Sequence, residues 1–289
     1  MTSISAAMAE LVPAMSEPVP GAPEAELVLA PTTLEEMARV LDVASEHHLA
    51  VLVWGGGTHQ GLGNRVEPDV VVSTFRLGRV VDYQPEDLTL VVEAGVPVAL
   101  VEEMLAERRQ TAVLPELPGA ATVGGVVAAG VSGFRRSRYG PTRDRMLEAT
   151  MVTGDGRIVR GGGRVVKNVT GYDLPRLITG SFGALGVVGQ VCLKLWPLPE
   201  ASLTVEVDDP EQAGEVLYRP LALLERDGKA CAYLAGTRAE VEAQADRVGG
   251  RALPGLVWPE EPVGTVRWSL RVPPALTREA VGRVPSGWT

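Results

Sequence analysis

The sequence predicts an α+β chain in two parts, a longer α/β part that ends near Pro199 and a shorter α+β part after it. Strand-like and helix-like segments alternate from residue 26 onward and lead into a glycine loop at residues 55–63. Pro197 and Pro199 then mark a boundary, because proline interrupts regular structure. A chain of 289 residues with 45% hydrophobic residues is long enough for two domains with buried cores.

These signals divide the chain into three segments. Residues 1–24 are rich in Ala, Pro, Ser and Met, and we expect a flexible N-terminal segment there. Residues 25–199 form the larger domain, composed of two α/β subdomains. Residues 200–289 form a small C-terminal cap domain, for which the order of elements predicts a ferredoxin-like α+β fold.

The first helix of the larger domain has the clearest start and face. Thr33 and Glu36 stand at capping-box spacing, and apolar residues recur with helical period from Leu34 to Ala44. The sequence Gly-Asp-Gly at 154–156 predicts a hairpin. Strands are predicted at Glu26–Leu29, Val51–Trp54, Val70–Ser73, Val80–Tyr83, Leu88–Glu93, Met146–Thr153, Arg157–Arg160 and Val187–Leu195, with helices from Leu34 and at Val98–Arg109.

The cap is predicted as strand, helix, strand, helix, strand. The corresponding segments are Ser202–Val207, Gln212–Arg226, Ala230–Ala235, Arg238–Val248 and Thr265–Val272.

Composition excludes several classes of protein. A net charge of -9 argues against a nucleic-acid partner, which requires a clustered basic face. Cys192 and Cys231 lack C-x-x-C spacing, so we expect buried free thiols and no metal site. Residues 1–24 contain no Lys or Arg, and no apolar run reaches the ~20 residues of a membrane span. We therefore expect a cytoplasmic protein without a secretory signal or a transmembrane segment.

Three segments rich in Gly, Ala and Ser stand out, at residues 54–63, 118–133 and 180–189. Small residues let the backbone lie directly against a flat or charged ligand, and three such segments indicate one extended ligand. A Rossmann dinucleotide site is disfavoured, because the first glycine loop leads into a strand rather than a helix. A P-loop is also disfavoured, since Gly125 stands where that motif has lysine.

The ordered set of motifs resembles the FAD-binding domain of the vanillyl-alcohol oxidase superfamily, the PCMH type, over residues 25–199. The matching motifs are G-G-G-T at 55–58, P-G-A-A-T-V-G-G at 118–125, R-x-x-x-Y-G-P-T-R-D at 135–144, G-D-G-R at 154–157 and G-A-L-G-V-V at 183–188. Within the superfamily, residues 163–174 are most similar to the FAD-binding subunits of bacterial glycolate oxidases.

The resemblance implies noncovalent FAD. Several members of the superfamily bond the flavin to a loop histidine, but that histidine aligns with Thr58 rather than with His59. The residues that the resemblance assigns to the cofactor are Gly55, Gly56, Gly57, Thr58, His59, Pro118, Gly119, Ala121, Thr122, Gly124, Gly125, Ser132, Tyr139, Gly140, Val187 and Val188.

Catalytic residues are not identified by the sequence. Self-contained members have a larger cap with histidines, whereas residues 200–289 contain none. Lys167, Tyr172 and Asp173 remain as acid–base groups or, equally well, as a structural or docking strip. The arginines between residues 135 and 145 either steer an acidic substrate or form a solvated basic loop.

The function implied is that of an FAD-binding subunit of a glycolate oxidase complex, with a catalytic flavoprotein subunit and an iron–sulfur subunit as partners. Any membrane association would then come through those partners. Two alternatives remain open: a self-sufficient FAD-dependent oxidoreductase acting on another small substrate, and a flavin-free structural homologue.

Overall fold

The computed structural model describes residues 8, 19, 21–62, 64, 66–117, 119–164, 171–226, 229–259, 272 and 276–283. The chain divides into two compact units, residues 1–256 and 257–289. The described helix of the second unit spans Thr277–Gly282. The strand predicted at Thr265–Val272 lies, apart from its last residue, outside the described residues.

The first sheet has three parallel strands, β1 (Leu27–Leu29), β2 (Val51–Trp54) and β3 (Val70–Ser73), in the order β1-β3-β2. Helix α1 (Leu34–Glu46) buries the predicted apolar face from Met37 to Ala44. The capping box is only half formed. Thr33 Oγ1 accepts from Glu36 N, but the Glu36 carboxylate accepts from the amide and hydroxyl of Thr32.

The N-terminal segment contacts this subdomain at one described point. Met8 is fully buried in the same cluster as β1, β3 and α1. Only residues 8, 19 and 21–24 of the segment are described. The expected flexibility of residues 1–24 stays a prediction.

The second sheet is antiparallel and has five strands, in the order β4-β5-β9-β7-β8. A two-residue strand β6 pairs separately with β10. The bounds are β4 Val80–Gln84, β5 Thr89–Glu93, β6 Gln110–Thr111, β7 Met146–Val152, β8 Ile158–Gly162, β9 Val187–Lys194 and β10 Trp196–Pro197. The predicted hairpin about residues 154–156 is confirmed by the pairing of β7 with β8.

Four short helices connect and cover this sheet. They are α2 (Val98–Ala106), α3 (Val123–Ala129), α4 (Arg136–Tyr139) and α5 (Leu174–Ile178). The helix predicted to reach Arg109 ends at Ala106. Arg109 adopts a left-handed backbone with φ 55°, which cannot continue a right-handed helix.

The third sheet contains β11 (Ala201–Val207), β12 (Ala222–Arg226), β13 (Lys229–Gly236) and β14 (Arg251–Pro254), in the order β12-β13-β11-β14. Helices α6 (Pro210–Val216) and α7 (Arg238–Val248) complete a β-α-β-β-α-β order, which is that of the ferredoxin-like motif.

The helix predicted at Gln212–Arg226 is wrong in its second half. The helix ends at Val216, and the chain continues through Pro220 into β12. Arg219 has φ 49°, and the ring of Pro220 disfavours helical backbone at the residue before it. Strand β14 was not predicted, because it has four residues and ends at a proline.

Two further observations concern membrane-spanning helices and the two cysteines. No described helix is both long and apolar enough to cross a membrane. Cys192 is a buried free thiol as predicted, whereas Cys231 is only partly buried.

Thiol reactivity tests the placement of β9 within the second sheet. Burial, followed by the nearby Glu148 carboxylate, raises the pKa of Cys192 to about 11, and Cys192 is 1% exposed. Thiolate is the reactive form, so the native protein should react with an aromatic disulfide reagent at Cys231 first. Cys231→Ala should remove that reaction and Cys192→Ala should leave it. Rapid labelling that disappears in Cys192→Ala would show that β9 is not an interior strand.

Candidate cofactor site

The first glycine loop follows directly from β2. Its position is fixed by Thr74, whose amide donates to Trp54 O at 2.9 Å, and by the Gln60 side-chain amide, which donates to Val53 O at 3.0 Å. Among the described residues, the backbone amides of Gly55, Gly56 and Gly57 donate to no other group. Three neighbouring N–H groups are therefore open to an external acceptor, an arrangement that suits an anion.

The second segment forms helix α3, which begins at Thr122. The Thr122 hydroxyl accepts from Gly125 N at 3.2 Å, as an N-cap residue does. The Gly124 amide donates to Ala94 O at 2.8 Å, and a Cβ on Gly124 would lie 2.6 Å from the Ala94 side chain. Glycine at 124 thus lets the helix start pack against the residue after β5.

The third segment, residues 180–186, is held by the end of α3. Gly180 N donates to Val127 O at 3.0 Å, and Phe182 N donates to Ala128 O at 2.9 Å. The first loop meets α3 from another direction, since a Cβ on Gly55 would lie 2.6 Å from Thr122 Oγ1. The three small-residue segments therefore lie together around α3.

Gly56 is required by packing between loops. A Cβ at this position would overlap the carbonyl oxygen of Ala120. At Gly125, by contrast, the only heavy atom within 4 Å of an added Cβ is Thr122 Oγ1, at 3.1 Å. Substitution at residue 125 therefore tests the ligand site, whereas substitution at residue 56 also disturbs the main chain.

The segments enclose a cavity of about 720 Å³, within the usual range for ligand pockets. Among the described residues that line it there is no Asp or Glu. Trp54 is 8% exposed, and its indole N–H has no partner among the described residues. The lining residues are Gly21, Pro23, Leu52, Val53, Trp54, Gly55, Gly56, Gly57, Thr58, His59, Gln60, Leu62, Asn64, Val66, Thr74, Gly124, Gly125, Ala128, Ala129, Phe182, Gly183, Ala184, Gly186 and Val188.

About half of the residues predicted for the cofactor line this cavity. Those that do are Gly55, Gly56, Gly57, Thr58, His59, Gly124, Gly125 and Val188. Those that do not are Gly119, Ala121, Thr122, Ser132, Tyr139, Gly140 and Val187. Pro118 lies outside the described residues. The assignment of all sixteen to the cofactor stays a prediction.

Two of the residues outside the lining make other contacts, and one residue on the lining is bonded to its neighbour. The Ser132 hydroxyl donates to Gly130 O and accepts from Thr142 N at 3.1 Å. Val187 is buried in the core of the first subdomain. Thr58 Oγ1, on the lining itself, lies 2.9 Å from Nδ1 of His59.

Several lining residues were not predicted, although the sequence carried a signal for some. Ala128 and Ala129 follow Gly125 by three and four residues, so they share its face of α3. Trp54 stands immediately before the glycine loop. The unpaired indole N–H could not be inferred, because it depends on which acceptors the fold brings near.

A second cavity of about 520 Å³ lies beside α4 and β10. The Tyr139 and Trp196 rings meet edge to face at 5.5 Å, and Arg138 donates to Ala235 O at 2.6 Å. Arg219 also lines this cavity. Glu200 and Glu240 line it as well, so side chains of both charges surround this cavity.

The arginines between residues 135 and 145 do not form one solvated loop. Arg135 Nε donates to Glu116 at 2.6 Å, Arg138 bonds to a carbonyl of β13, and Arg145 is 2% exposed. Arg136 and Arg143 are exposed. Most of the group is thus committed to internal contacts.

The strip considered for acid–base chemistry does not line either cavity in the described part of the chain. Tyr172 is 95% exposed, and Asp173 caps α5 by accepting from Arg176 N. Lys167 lies outside the described residues. No group of three or more His, Cys, Asp or Glu side chains that could hold a metal ion occurs among the described residues.

The first cavity fits the ligand that the motifs imply. A dinucleotide cofactor such as FAD carries a doubly charged pyrophosphate, which needs several donors and no neighbouring carboxylate. The amides of Gly55–Gly57 supply donors, and the described part of the lining has no acidic side chain. Extended length along three segments matches a dinucleotide better than a mononucleotide.

Comparison with known proteins agrees with this fit. A family described as "FAD binding domain" matches residues 25–162. Over 62% of its length the chain is 35% identical to the glycolate oxidase subunit GlcE of Escherichia coli, and 34% identical to a D-lactate dehydrogenase of Archaeoglobus fulgidus. The chain spans 54% and 40% of those two proteins, so about half their length.

A solved structure shares the fold at low sequence identity. The BBE-like 1 protein of Physcomitrella patens matches with a TM-score of 0.64 at 17% identity, over 87% of this chain and 62% of that one. Residues 25–162 are therefore an FAD-binding domain of the PCMH type, and the chain is similar to glycolate oxidase subunits and to D-lactate dehydrogenases.

Proposed function

We propose that this chain is the FAD-binding subunit of a glycolate oxidase complex, carrying flavin for electron transfer while a partner subunit performs the main catalysis. The observation that supports it best is the cavity beside α3, with three open glycine amides and no acidic lining residue among those described. Such a cavity suits a dinucleotide, and among its described lining residues only His59 has an acid–base side chain.

The cofactor would be held without a covalent bond. The amides of Gly55–Gly57 would donate to the pyrophosphate, each charge-assisted bond contributing roughly 1.5–3 kcal/mol. Bound FAD would accept a hydride equivalent and pass electrons on. The chain's own residues would position the cofactor, and Val53, Val66 and Phe182 contribute to the apolar part of the lining.

The names of the relatives support the proposed substrate class, and the resemblance of the motifs supports the proposed partners. One is named as a glycolate oxidase subunit and another as a D-lactate dehydrogenase, so a 2-hydroxy acid is the proposed substrate. The proposed partners are a catalytic flavoprotein subunit and an iron–sulfur subunit. In this proposal residues 25–199 bind FAD, residues 200–289 form the cap, and the complex is cytoplasmic, with any membrane contact made by the partners.

A second candidate is a self-sufficient oxidoreductase. The observation that favours it is the cavity of about 520 Å³ that Arg138 and Arg219 line together with Glu200 and Glu240, because an arginine can hold a carboxylate and a glutamate can accept a proton. The assay of the isolated chain described below separates the two candidates.

Acid precipitation tests the noncovalent attachment. The loop histidine is offset by one residue from the position that carries the covalent bond in relatives, so denaturation should free the flavin. We expect the yellow colour to remain in the supernatant after trichloroacetic acid treatment. Flavin fluorescence that stays with the polypeptide on a denaturing gel would show a covalent bond and contradict the proposal.

Gly125→Leu tests the cavity itself. The added Cβ would approach Thr122 Oγ1 at 3.1 Å without meeting another loop, and the rest of the side chain would extend into the cavity, so the chain should fold. We expect FAD binding to weaken by at least tenfold in a fluorescence titration. Gly214→Leu is a matched control, because Gly214 is an exposed helical glycine whose Cβ would meet only Leu223. Equal affinity in both variants would show that the cavity is not the cofactor site.

The isolated chain should oxidise glycolate poorly. A 2-hydroxy acid needs a base near its hydroxyl proton, and residues 200–289 contain no histidine. Tyr172 is 95% exposed and lines neither cavity, so it is not placed beside a substrate bound in one of them. Stopped-flow mixing with glycolate or D-lactate should leave the flavin oxidised. Rapid bleaching that Tyr172→Phe abolishes would instead establish a self-sufficient enzyme.

A further inference from the structure

Arg145 is an almost fully buried cation near the cofactor-facing helix. It follows the 3₁₀ turn Thr142–Asp144 and is 2% exposed. Its Nη1 donates to Val113 O and its Nη2 to Thr142 Oγ1 at 2.8 Å. The Nε–H has no partner among the described residues. The guanidinium is therefore bonded only to neutral groups there.

The two nearest carboxylates are committed elsewhere. Glu102 accepts from Thr111 Oγ1 at 2.6 Å and from Leu114 N at 2.7 Å. Glu116 accepts from Arg135 Nε at 2.6 Å. Burial above all, and next the charge of Arg135, lower the pKa of Arg145 to about 10. Arg145 is still a cation at neutral pH, without a carboxylate bonded to it.

A buried charge of this kind does not stabilise a fold. Its desolvation is unfavourable, and replacing buried ionic groups with apolar side chains of similar volume is often neutral or stabilising. A buried charge that is hydrogen-bonded to segments on both sides of a helix lining a cavity is expected to contribute to function instead. The two hydrogen bonds of Arg145 show which segments around the cavity it holds.

One arm of Arg145 fixes the chain that enters the site. Val113 has φ 56°, a left-handed backbone that is unfavourable for a β-branched residue. Its carbonyl is held by Arg145 and its amide by Thr111 Oγ1 at 2.9 Å. The turn at Val113 directs the chain toward residues 119–121, which lie against Gly56 of the first loop.

The other arm fixes the chain that leaves α3. Thr142, which accepts from Arg145, donates through its hydroxyl to Val131 O and through its amide to Ser132 Oγ. These residues directly follow Gly130, the left-handed C-cap of α3. One guanidinium thus connects both flanks of the helix whose residues Gly125 and Ala128 line the cavity.

We propose that Arg145 is a positioning residue for the cofactor site, holding the segments before and after α3 at the separation that FAD binding requires. The inference rests on the proposed function, since it takes FAD as the ligand of the cavity. It assigns to Arg145 an effect on cofactor affinity that is separate from the stability of the fold.

The test compares Arg145→Met with wild type, using the full chain with and without FAD. Thermal midpoints of the apo proteins report the fold, and titration of flavin fluorescence reports FAD affinity. We expect an apo midpoint equal to or above that of wild type, with an FAD dissociation constant at least tenfold higher. The circular dichroism of bound flavin in the visible range should also change, because the segments around the flavin have shifted.

Thr142→Val removes the hydroxyl that connects Arg145 to Val131. This variant tests the proposal if Arg145→Met does not fold. Thr142→Val should weaken FAD binding at least tenfold. The loss of binding free energy in the double variant should be smaller than the sum of the losses in the two single variants. Arg157→Met, which removes a surface arginine that is paired with Asp155, should leave affinity unchanged.

Unchanged FAD affinity in Arg145→Met, or in Thr142→Val where Arg145→Met does not fold, overturns the proposal. So does an apo midpoint of Arg145→Met that falls while affinity for FAD stays the same, since that is the pattern of a structural residue. If wild type itself binds no FAD, the proposed function fails and the inference fails with it. If wild type binds FAD and the variants bind it equally well, only the inference about Arg145 is overturned.

Discussion

The site depends on close contact between backbones, which only residues without side chains permit. The loop at Gly55–Gly57 lies against residues 120–125 so closely that a Cβ on Gly56 would overlap Ala120 O. The start of α3 in turn lies against Ala94, after β5. These contacts bring a loop of the parallel sheet to a helix of the antiparallel sheet. The cavity between them exists because the main chains approach this closely.

This contact also explains the electrostatics of the cavity. The glycines of this loop face a neighbouring main chain, and their amides form no helix or sheet hydrogen bonds. The amides of Gly55–Gly57 therefore stay open among the described residues. Open amides cost free energy unless water or a ligand accepts their hydrogens. The absence of Asp and Glu from the described lining keeps the local field favourable to an anion. The close approach of the glycine loop to residues 120–125 therefore accounts both for the packing and for the preference of the cavity for an anion.

The sequence predicted most of this arrangement where local signals were strong. Apolar periodicity placed α1, β2 and β3, and the spacing of the glycine motifs identified the three segments that converge on α3. Local signals failed where distant contacts decide the outcome. The segment at Gln212–Arg226 has apolar residues at helical spacing, but Pro220 and pairing with β13 make its second half a strand. The unpaired indole of Trp54 is equally invisible to periodicity.

Buried charge was the property least accessible to sequence reasoning. Five arginines between residues 135 and 145 suggested a basic surface, yet their positions in the fold differ completely. Arg135 is paired with Glu116, and Arg145 is enclosed beside it with neutral partners. The same segment contains Ser132 and Thr142, whose bonds connect it to the end of α3. Charges that resemble a recognition patch in sequence therefore include, in the fold, two arginines with internal contacts beside α3, and in our proposal the effect of Arg145 on a ligand passes through backbone position rather than through direct contact.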